Sequence, residues 1–314
     1  TINQSAGSPT VKGTASISGG TFDLAGKTYT NGLMVVSSSG VLTNGVAGAT
    51  FNGGLSNAAT VFVSQDTFFN GPVTNTGNFS FRGALSNSFA NSGNATLTGN
   101  ATLTVAPGNS GSLNLVANKL SVNPAWANAG TVSVAGGTLI GGTLTNNLNL
   151  TGFGTVSNLV VNLATINVTN GTMLLATGPV QNATVNIANN GILSVTPAWT
   201  NNGIVSVVAG GSVAGGNLTN LSSATITNFG AINTLVVNQG RVVLGGLIQN
   251  LQQASGTNTV SGSGSVTGTA TITGGLFDLA GGTYSNGLMI VSGTGLLSNA
   301  ISGATFNGGV SNAA

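Results

Sequence analysis

The residue types that most enzymes use for chemistry are scarce in this chain. Among its 314 residues, five are Lys or Arg and three are acidic, and His and Cys are absent. Without His or Cys, the usual Ser–His and Cys–His nucleophile arrangements cannot form. Without Cys there is also no disulfide framework and no thiolate metal site. Paired carboxylates are therefore the remaining route to hydrolysis.

The three acidic residues are too far apart for that role. Asp23 and Asp278 occupy the same position of a duplicated segment, so a repetitive fold places them one repeat apart. Catalytic carboxylates of glycosidases lie roughly 5 to 10 Å apart. Asp66 stands alone between them in sequence. We interpret all three as isolated surface charges and predict that the chain is not an enzyme. The calcium-binding and phosphate-binding glycine motifs are missing too, so we predict no metal and no cofactor.

Aromatic side chains are the other candidates for a contact surface. Trp126 and Trp199 occur in a duplicated Pro-Ala-Trp motif, where they could stack on a sugar, contact a neighbouring molecule, or pack at a corner of the fold. We favour packing. A group of phenylalanines forms a dense cluster that we interpret as a core stack rather than a binding surface: Phe62, Phe68, Phe69, Phe79, Phe81 and Phe89.

Composition excludes several further classes. Only 3% of the residues are charged and the net charge is +2, so there is no basic patch and nucleic acid is not expected as a partner. Apolar runs are about five residues long, whereas a bilayer helix needs about 20, so we predict no membrane span. At 40% hydrophobic residues, the chain has enough apolar surface to escape disorder. It starts with Thr1 and shows no signal peptide, which indicates a processed or truncated piece.

A long duplication organises the chain. Val11–Ala59 aligns without a gap with Val266–Ala314 at a constant offset of 255, and 34 of the 49 aligned pairs are identical. Shorter sub-repeats of about 75 residues relate residues 120–162 to residues 193–238, with an offset that drifts from 73 to 76. Single-residue insertions of this kind are tolerated where each coil contacts only its neighbours. We therefore interpret residues 1–314 as one continuous solenoid.

The local pattern predicts strands. Apolar residues alternate with Thr, Ser and Asn, as in Asn78-Phe79-Ser80-Phe81, and Asn-Gly turn dipeptides bound the runs. A looser spacing of 15 to 20 residues indicates one coil. The fold class predicted is all-β, a parallel β-helix (β-solenoid) without caps, in which Asn side chains of successive coils form a hydrogen-bonded ladder.

These short Gly-Thr-Val and Leu strands, Asn-Gly turns and Asn, Ser and Thr faces resemble bacterial secreted β-solenoid repeat proteins. That group includes autotransporter passengers, filamentous-haemagglutinin-like adhesins and surface-fibre proteins. The resemblance implies that the parallel β-helix is right-handed. It also implies secretion to the cell surface and roles in adhesion, matrix or filaments, but it assigns no functional residue.

Four functions follow as hypotheses, and the last of them, a polysaccharide-active β-helix enzyme, needs a carboxylate cluster that the sequence lacks. The first is a structural segment of an extracellular filament, which associates with itself end to end and laterally. The second is an adhesin stalk that binds cell-surface or matrix glycans and requires exposed Trp126 and Trp199. Ice binding is a third, since Thr-x-Thr triplets such as Thr96-Leu97-Thr98 recur, but at irregular intervals.

Overall fold

The computed structural model describes Ile2–Asn3, Ser8 and residues 10–313. These residues form strands, turns and bends, and none of them is helical. In particular, this part of the chain holds no helix with the length and hydropathy needed to traverse a bilayer. The chain divides into two compact units, Thr1–Asn158 and Leu159–Ala314. The prediction that one continuous solenoid spans residues 1–314 stays a prediction.

Short strands make up the first unit. They are β1 (Ile2–Asn3), β2 (Thr10–Ile17), β3 (Thr21–Asp23), β4 (Thr28–Val36), β5 (Val41–Asn44), β6 (Ala49–Asn57), β7 (Thr60–Val63), β8 (Thr67–Phe69), β9 (Val73–Asn75), β10 (Asn78–Leu85), β11 (Phe89–Asn91), β12 (Asn94–Leu103), β13 (Gly108–Asn109), β14 (Ser112–Asn114), β15 (Lys119–Val122), β16 (Trp126–Asn128), β17 (Thr131–Ser133), β18 (Thr138–Gly141), β19 (Leu144–Asn146) and β20 (Asn149–Val156).

The second unit is built in the same way. Its strands are β21 (Val160–Leu175), β22 (Gln181–Ile187), β23 (Gly191–Val195), β24 (Trp199–Asn201), β25 (Ile204–Val207), β26 (Ser212–Gly215), β27 (Leu218–Asn220), β28 (Thr225–Asn228), β29 (Ala231–Asn238), β30 (Arg241–Leu244), β31 (Leu247–Gln253), β32 (Thr257–Val260), β33 (Ser263–Ile272), β34 (Leu276–Asp278), β35 (Thr283–Ser292), β36 (Leu296–Ser298) and β37 (Thr305–Ala313).

Parallel pairing between coils confirms the β-solenoid prediction in each unit. In the first unit β3 pairs with β5, β5 with β7 and β7 with β10, so that Phe22, Leu42, Val61 and Phe79 are successive register partners. In the second unit β25 pairs with β28, β28 with β30 and β30 with β32 in the same parallel sense. Successive partners lie 16 to 22 residues apart, close to the predicted coil length.

Side chains alternate between the interior and the surface along each strand, as the period-two pattern predicts. In β12 the buried positions carry Ala95, Leu97, Ala101 and Leu103, while Thr96 and its polar neighbours are partly exposed. The interior is therefore a stack of Val, Leu, Ile, Ala and Phe in which each coil covers the previous one. Burial of this stack is the main favourable term for folding.

The phenylalanine cluster divides between the two faces. Tyr29, Phe51, Phe69 and Phe79 form a continuous internal stack with neighbouring ring centroids 5.5 to 5.9 Å apart, and Phe81 and Phe89 extend it. Phe62 and Phe68, however, stand at outward positions of β7 and β8 and are exposed. The core-stack interpretation is therefore confirmed for four of the six residues and wrong for these two.

A ladder of buried asparagines lines one corner of each unit, as predicted. Each side-chain amide donates to the Oδ1 atom of an asparagine in the next coil, over distances of 2.7 to 3.2 Å. In the first unit the ladder runs Asn57, Asn75, Asn91, Asn109, Asn128 and Asn146. In the second unit it runs Asn162, Asn182, Asn201, Asn220 and Asn238.

The ladder asparagines also hold the corner backbone. Asn109 donates to the Thr131 carbonyl as well as to the Asn128 side chain, and the Asn128 Oδ1 atom accepts from the Gly130 backbone N–H. Buried amides are costly unless they are hydrogen-bonded, so these contacts tie the corner of one coil to the next.

Glycines beside the ladder allow the corners to approach closely. The corner motif is Asn-x-Gly, as in Asn109-Ser110-Gly111. A Cβ atom at Gly111 would lie 2.1 Å from the Gly93 carbonyl oxygen, and one at Gly130 would lie 2.1 Å from the Gly111 carbonyl oxygen. These glycines are needed because backbones of successive coils are in contact there.

We expect Asn109→Ala to lower the free energy of unfolding by about 2 to 3 kcal/mol, because amide atoms of both neighbouring asparagines lose a partner while buried. The matched control is Asn114→Ala. Asn114 donates to Asn94 in the same way, but on the exposed face, so its loss should cost less than about 0.5 kcal/mol. Urea unfolding followed by circular dichroism compares the two, and equal costs would contradict a structural role for the ladder.

Gly111→Ala should destabilise the fold by about 1 to 3 kcal/mol, since the added methyl group meets the neighbouring backbone. Gly108→Ala is the control, because a Cβ atom at this exposed residue three positions earlier meets no atom within 4 Å. Thermal unfolding of both variants measures the difference. A Gly108→Ala loss as large as that of Gly111→Ala would show that loss of glycine flexibility, rather than crowding, decides the result.

Candidate functional surfaces

The two tryptophans are structural. Trp126 and Trp199 begin the equivalent strands β16 and β24, pair in register with Leu144 and Leu218, and are only 5% and 4% exposed. A buried ring offers no face on which an external sugar could stack. The adhesin hypothesis required Trp126 and Trp199 to be exposed, and that requirement is wrong. Packing at a corner explains the duplicated motif.

Two of the three aspartates shape turns. The Oδ1 atoms of Asp23 and Asp278 each accept the backbone N–H two residues on, from Ala25 and Ala280, at 3.1 Å. Both alanines have positive φ, at 51° and 47°, so the same turn is built in both copies of the duplication. Among the described residues, no group of three or more His, Cys, Asp or Glu side chains could hold a metal ion.

Asp66 has a partner that the sequence did not indicate. Its Oδ1 atom lies 2.7 Å from Nε of Arg82, which forms a salt bridge on the surface of the first unit. The interpretation of Asp66 as an isolated charge was therefore wrong. The two residues are 16 positions apart, which is one coil, so parallel stacking brings them together.

The salt bridge lies in a groove of about 410 Å³. Asp66, Phe68, Arg82, Asn100, Thr102 and Lys119 line it, on four neighbouring coils. The Phe68 side chain is 45% exposed although it stands in the middle of β8. The groove therefore combines an exposed aromatic ring, two cationic side chains and an amide.

Local backbone irregularity forms this groove. Phe68 pairs with Thr50 and with Ala84, so small side chains flank the ring in the coils on either side. Between Phe81 and Gly83 the register with β12 shifts, and this places Arg82 at a corner opposite the extra residues 98–100. Gly99 lies under the Arg82 side chain: a Cβ atom there would come within 2.7 Å of the Arg82 Nε atom.

The two copies of the duplication differ in what covers them. Leu42 is fully buried, whereas its identical counterpart Leu297 is 36% exposed. Leu55 is buried and its counterpart Val310 is exposed. In the first copy Leu42 pairs with Val61 and Leu55 with Val73 of the next coil. Leu297 and Val310 have register partners only on the preceding coil, Phe277 and Met289.

Comparisons with protein-family models, with curated proteins and with solved structures gave no match for this chain. The likeness to secreted β-solenoid adhesins and fibre proteins therefore rests on the repeat pattern and the solenoid architecture alone.

The stability of the fold should respond to alkali through Tyr284. Burial raises the pKa of Tyr284 above its ordinary value of 10, and the hydroxyl has no hydrogen-bond partner among the described residues. The stability associated with the neutral phenol is present below pH 10 and is lost as the pH rises further. Tyr284→Phe should therefore flatten the loss of stability between pH 10 and 12, measured by urea midpoints, and leave the midpoint at pH 7 unchanged or higher. A pH profile identical to that of the parent chain would contradict this assignment.

Proposed function

We propose that this chain is a structural segment of an extracellular filament built from stacked β-solenoid repeats. The observation that carries the proposal is the 255-residue duplication, whose two copies build the same coils in the same parallel register. The surface presented by β36 and β37 corresponds to the surface that β7 and β9 cover in the first copy. A further coil of the same repeat is therefore the occupant that fits it.

The chemistry of this surface supports a coil as its partner. Leu296, Leu297 and Val310 are exposed and line one apolar hollow together with Val291. Outer strands of a sheet also present unpaired backbone N–H and C=O groups, which pair readily with another strand. A coil would bury the apolar side chains and satisfy the backbone at the same time, as it does around Leu42 and Leu55.

The contacts within each unit suit a mechanical role. Coils are joined to one another by backbone pairing and apolar stacking, and from Asn57 to Asn146 and from Asn162 to Asn238 also by the asparagine ladder. Load along each unit is therefore shared among these contacts. Faces with only 3% charged residues repel one another weakly, which favours lateral bundling as well as extension. Location outside the cell is part of the proposal and comes from the resemblance to secreted fibre proteins.

A stalk that presents a binding surface is the second candidate function. The buried tryptophans cannot supply that surface, but the groove at Phe68 and Arg82 is accessible and favours this alternative. The filament remains the first choice because it explains the duplication as well as the exposed apolar edge.

Equivalent leucines provide the test of the edge. In the chain as it stands, Leu42→Ala should cost about 2 to 5 kcal/mol, and Leu297→Ala less than about 1.5 kcal/mol, since its site is open on one side. The chain is then extended after Ala314 with the sequence of residues 60–91, which follows the first copy. In the extended chain, Leu297→Ala should lower the free energy of unfolding by as much as Leu42→Ala does, measured by urea unfolding.

An unchanged Leu297→Ala cost, with the added residues cut rapidly by protease, would overturn the proposed stacking. Electron microscopy of the unextended chain then separates two sources of the next coil. Filaments that vanish with Leu297→Lys but persist with Leu163→Lys, at an exposed outward position, identify a second copy as the source. Monomers at all concentrations would identify a longer polypeptide as the source of the next coil. Immunogold labelling only inside the source cells would overturn the extracellular location.

A further inference from the structure

We propose that the groove formed by Asp66, Phe68, Arg82, Asn100 and Lys119 binds a uronic-acid saccharide, with the sugar ring on Phe68 and its carboxylate on Arg82 and Lys119. The proposal concerns the side of the solenoid and does not depend on what covers its edges. It assigns a binding function to residues that the filament does not use.

Charge is concentrated in this groove. Asp66, Arg82 and Lys119 are three of the eight charged side chains of the whole chain, and they lie within four successive coils, with the coil of Asn100 between those of Arg82 and Lys119. They leave one net positive charge at this position. The rest of the surface carries few charges, so these three are not needed to keep a fibre in solution. Their grouping in one groove therefore indicates a ligand of opposite charge.

Arg82 is oriented for a carboxylate. Its Nε atom donates to Asp66, while its two terminal amino groups have no hydrogen-bond partner among the described residues. Gly99 supports the side chain from below, and any larger residue there would displace it. An arginine held at Nε still presents the paired N–H donors that match the two oxygens of a carboxylate. Asp66 thus holds the guanidinium group in place without occupying these terminal N–H donors.

Phe68 supplies the apolar part of the site. Its exposed ring stands between Thr50 and Ala84, whose small side chains leave its face accessible. Aromatic faces pack well against the C–H face of a sugar ring and gain little from a simple inorganic anion. Asn100 adds polar capacity: its Oδ1 atom accepts the Lys119 backbone N–H, and its amide N–H groups have no protein partner in the structure. A hydroxylated, anionic ring therefore satisfies the groove better than an anion alone.

Two other ligand classes fit less well. An extended peptide binds to sheets by adding a strand, but β8, β10 and β12 are already paired with neighbouring coils on both sides. Nucleic acid requires several phosphate contacts, and only two cations line this groove. The volume of about 410 Å³ lies in the range of small-ligand sites.

Titration calorimetry of the full chain with a galacturonic acid tetrasaccharide tests the proposal. We expect binding that weakens as salt is added, and at least about tenfold weaker binding for Arg82→Gln and for Phe68→Thr. Phe62→Thr is the matched control, because Phe62 is an equally exposed phenylalanine on β7, the strand before β8 in the sequence, and does not line the groove. This variant should bind like the parent chain. Circular dichroism confirms that each variant is folded.

Two further ligands separate the contributions of ring and charge. The methyl-esterified tetrasaccharide keeps the rings but lacks the carboxylates, and polyglutamate keeps the carboxylates but lacks the rings; both should bind at least about tenfold more weakly. Equal binding of the ester would overturn the role of Arg82, and equal binding of polyglutamate would overturn the role of Phe68. Absence of binding by the acidic tetrasaccharide would overturn the proposal as a whole.

Discussion

The buried asparagine ladder is the constraint on which the rest of each unit depends. A primary amide inside a protein must find partners for both its donors and its acceptor, or its burial costs more than its packing gains. In each coil the partner is the same side chain one coil away, as between Asn91 and Asn109. The ladder therefore sets the stacking of coils: a coil that shifts along its neighbour breaks a row of amides together with a row of apolar contacts.

This constraint explains which parts of the sequence are free to vary. Ladder neighbours are 16 residues apart between Asn75 and Asn91 but 20 apart between Asn162 and Asn182. The corner is held in place while the segments between corners lengthen or shorten. Arg82 and the three residues opposite it show one such adjustment, and there the irregularity creates a groove instead of a gap. The ladder keeps successive coils in register, and differences in coil length are confined to the places where the backbone bends.

Sequence reasoning reached the architecture because the architecture is periodic. Alternating apolar residues, turn dipeptides and recurring Leu-Thr-Asn segments are local signals, and together they predicted parallel coils of about the observed length and an amide ladder. The Asn-x-Gly corner motif was also present in the sequence, as in Asn128-Ala129-Gly130, and could have located the ladder residue by residue. What could not be predicted was the face on which each side chain lies. Moving a strand by one residue exchanges its two faces, so Phe62 and Phe68 proved to be exterior although the rest of their cluster is interior. The Asp66–Arg82 contact depends on the exact length of one coil, which composition does not reveal.

The near identity of Val11–Ala59 and Val266–Ala314 has a genetic consequence. Because both segments fold into the same coils with the same register of inward residues, a crossover between their coding sequences deletes or adds one whole 255-residue unit. The recombined protein keeps an unbroken reading frame and the same register of inward residues at the crossover, since the two segments align without a gap. The number of residues can therefore change between generations by whole repeats, and selection can act on chain length while the coils at the crossover stay the same.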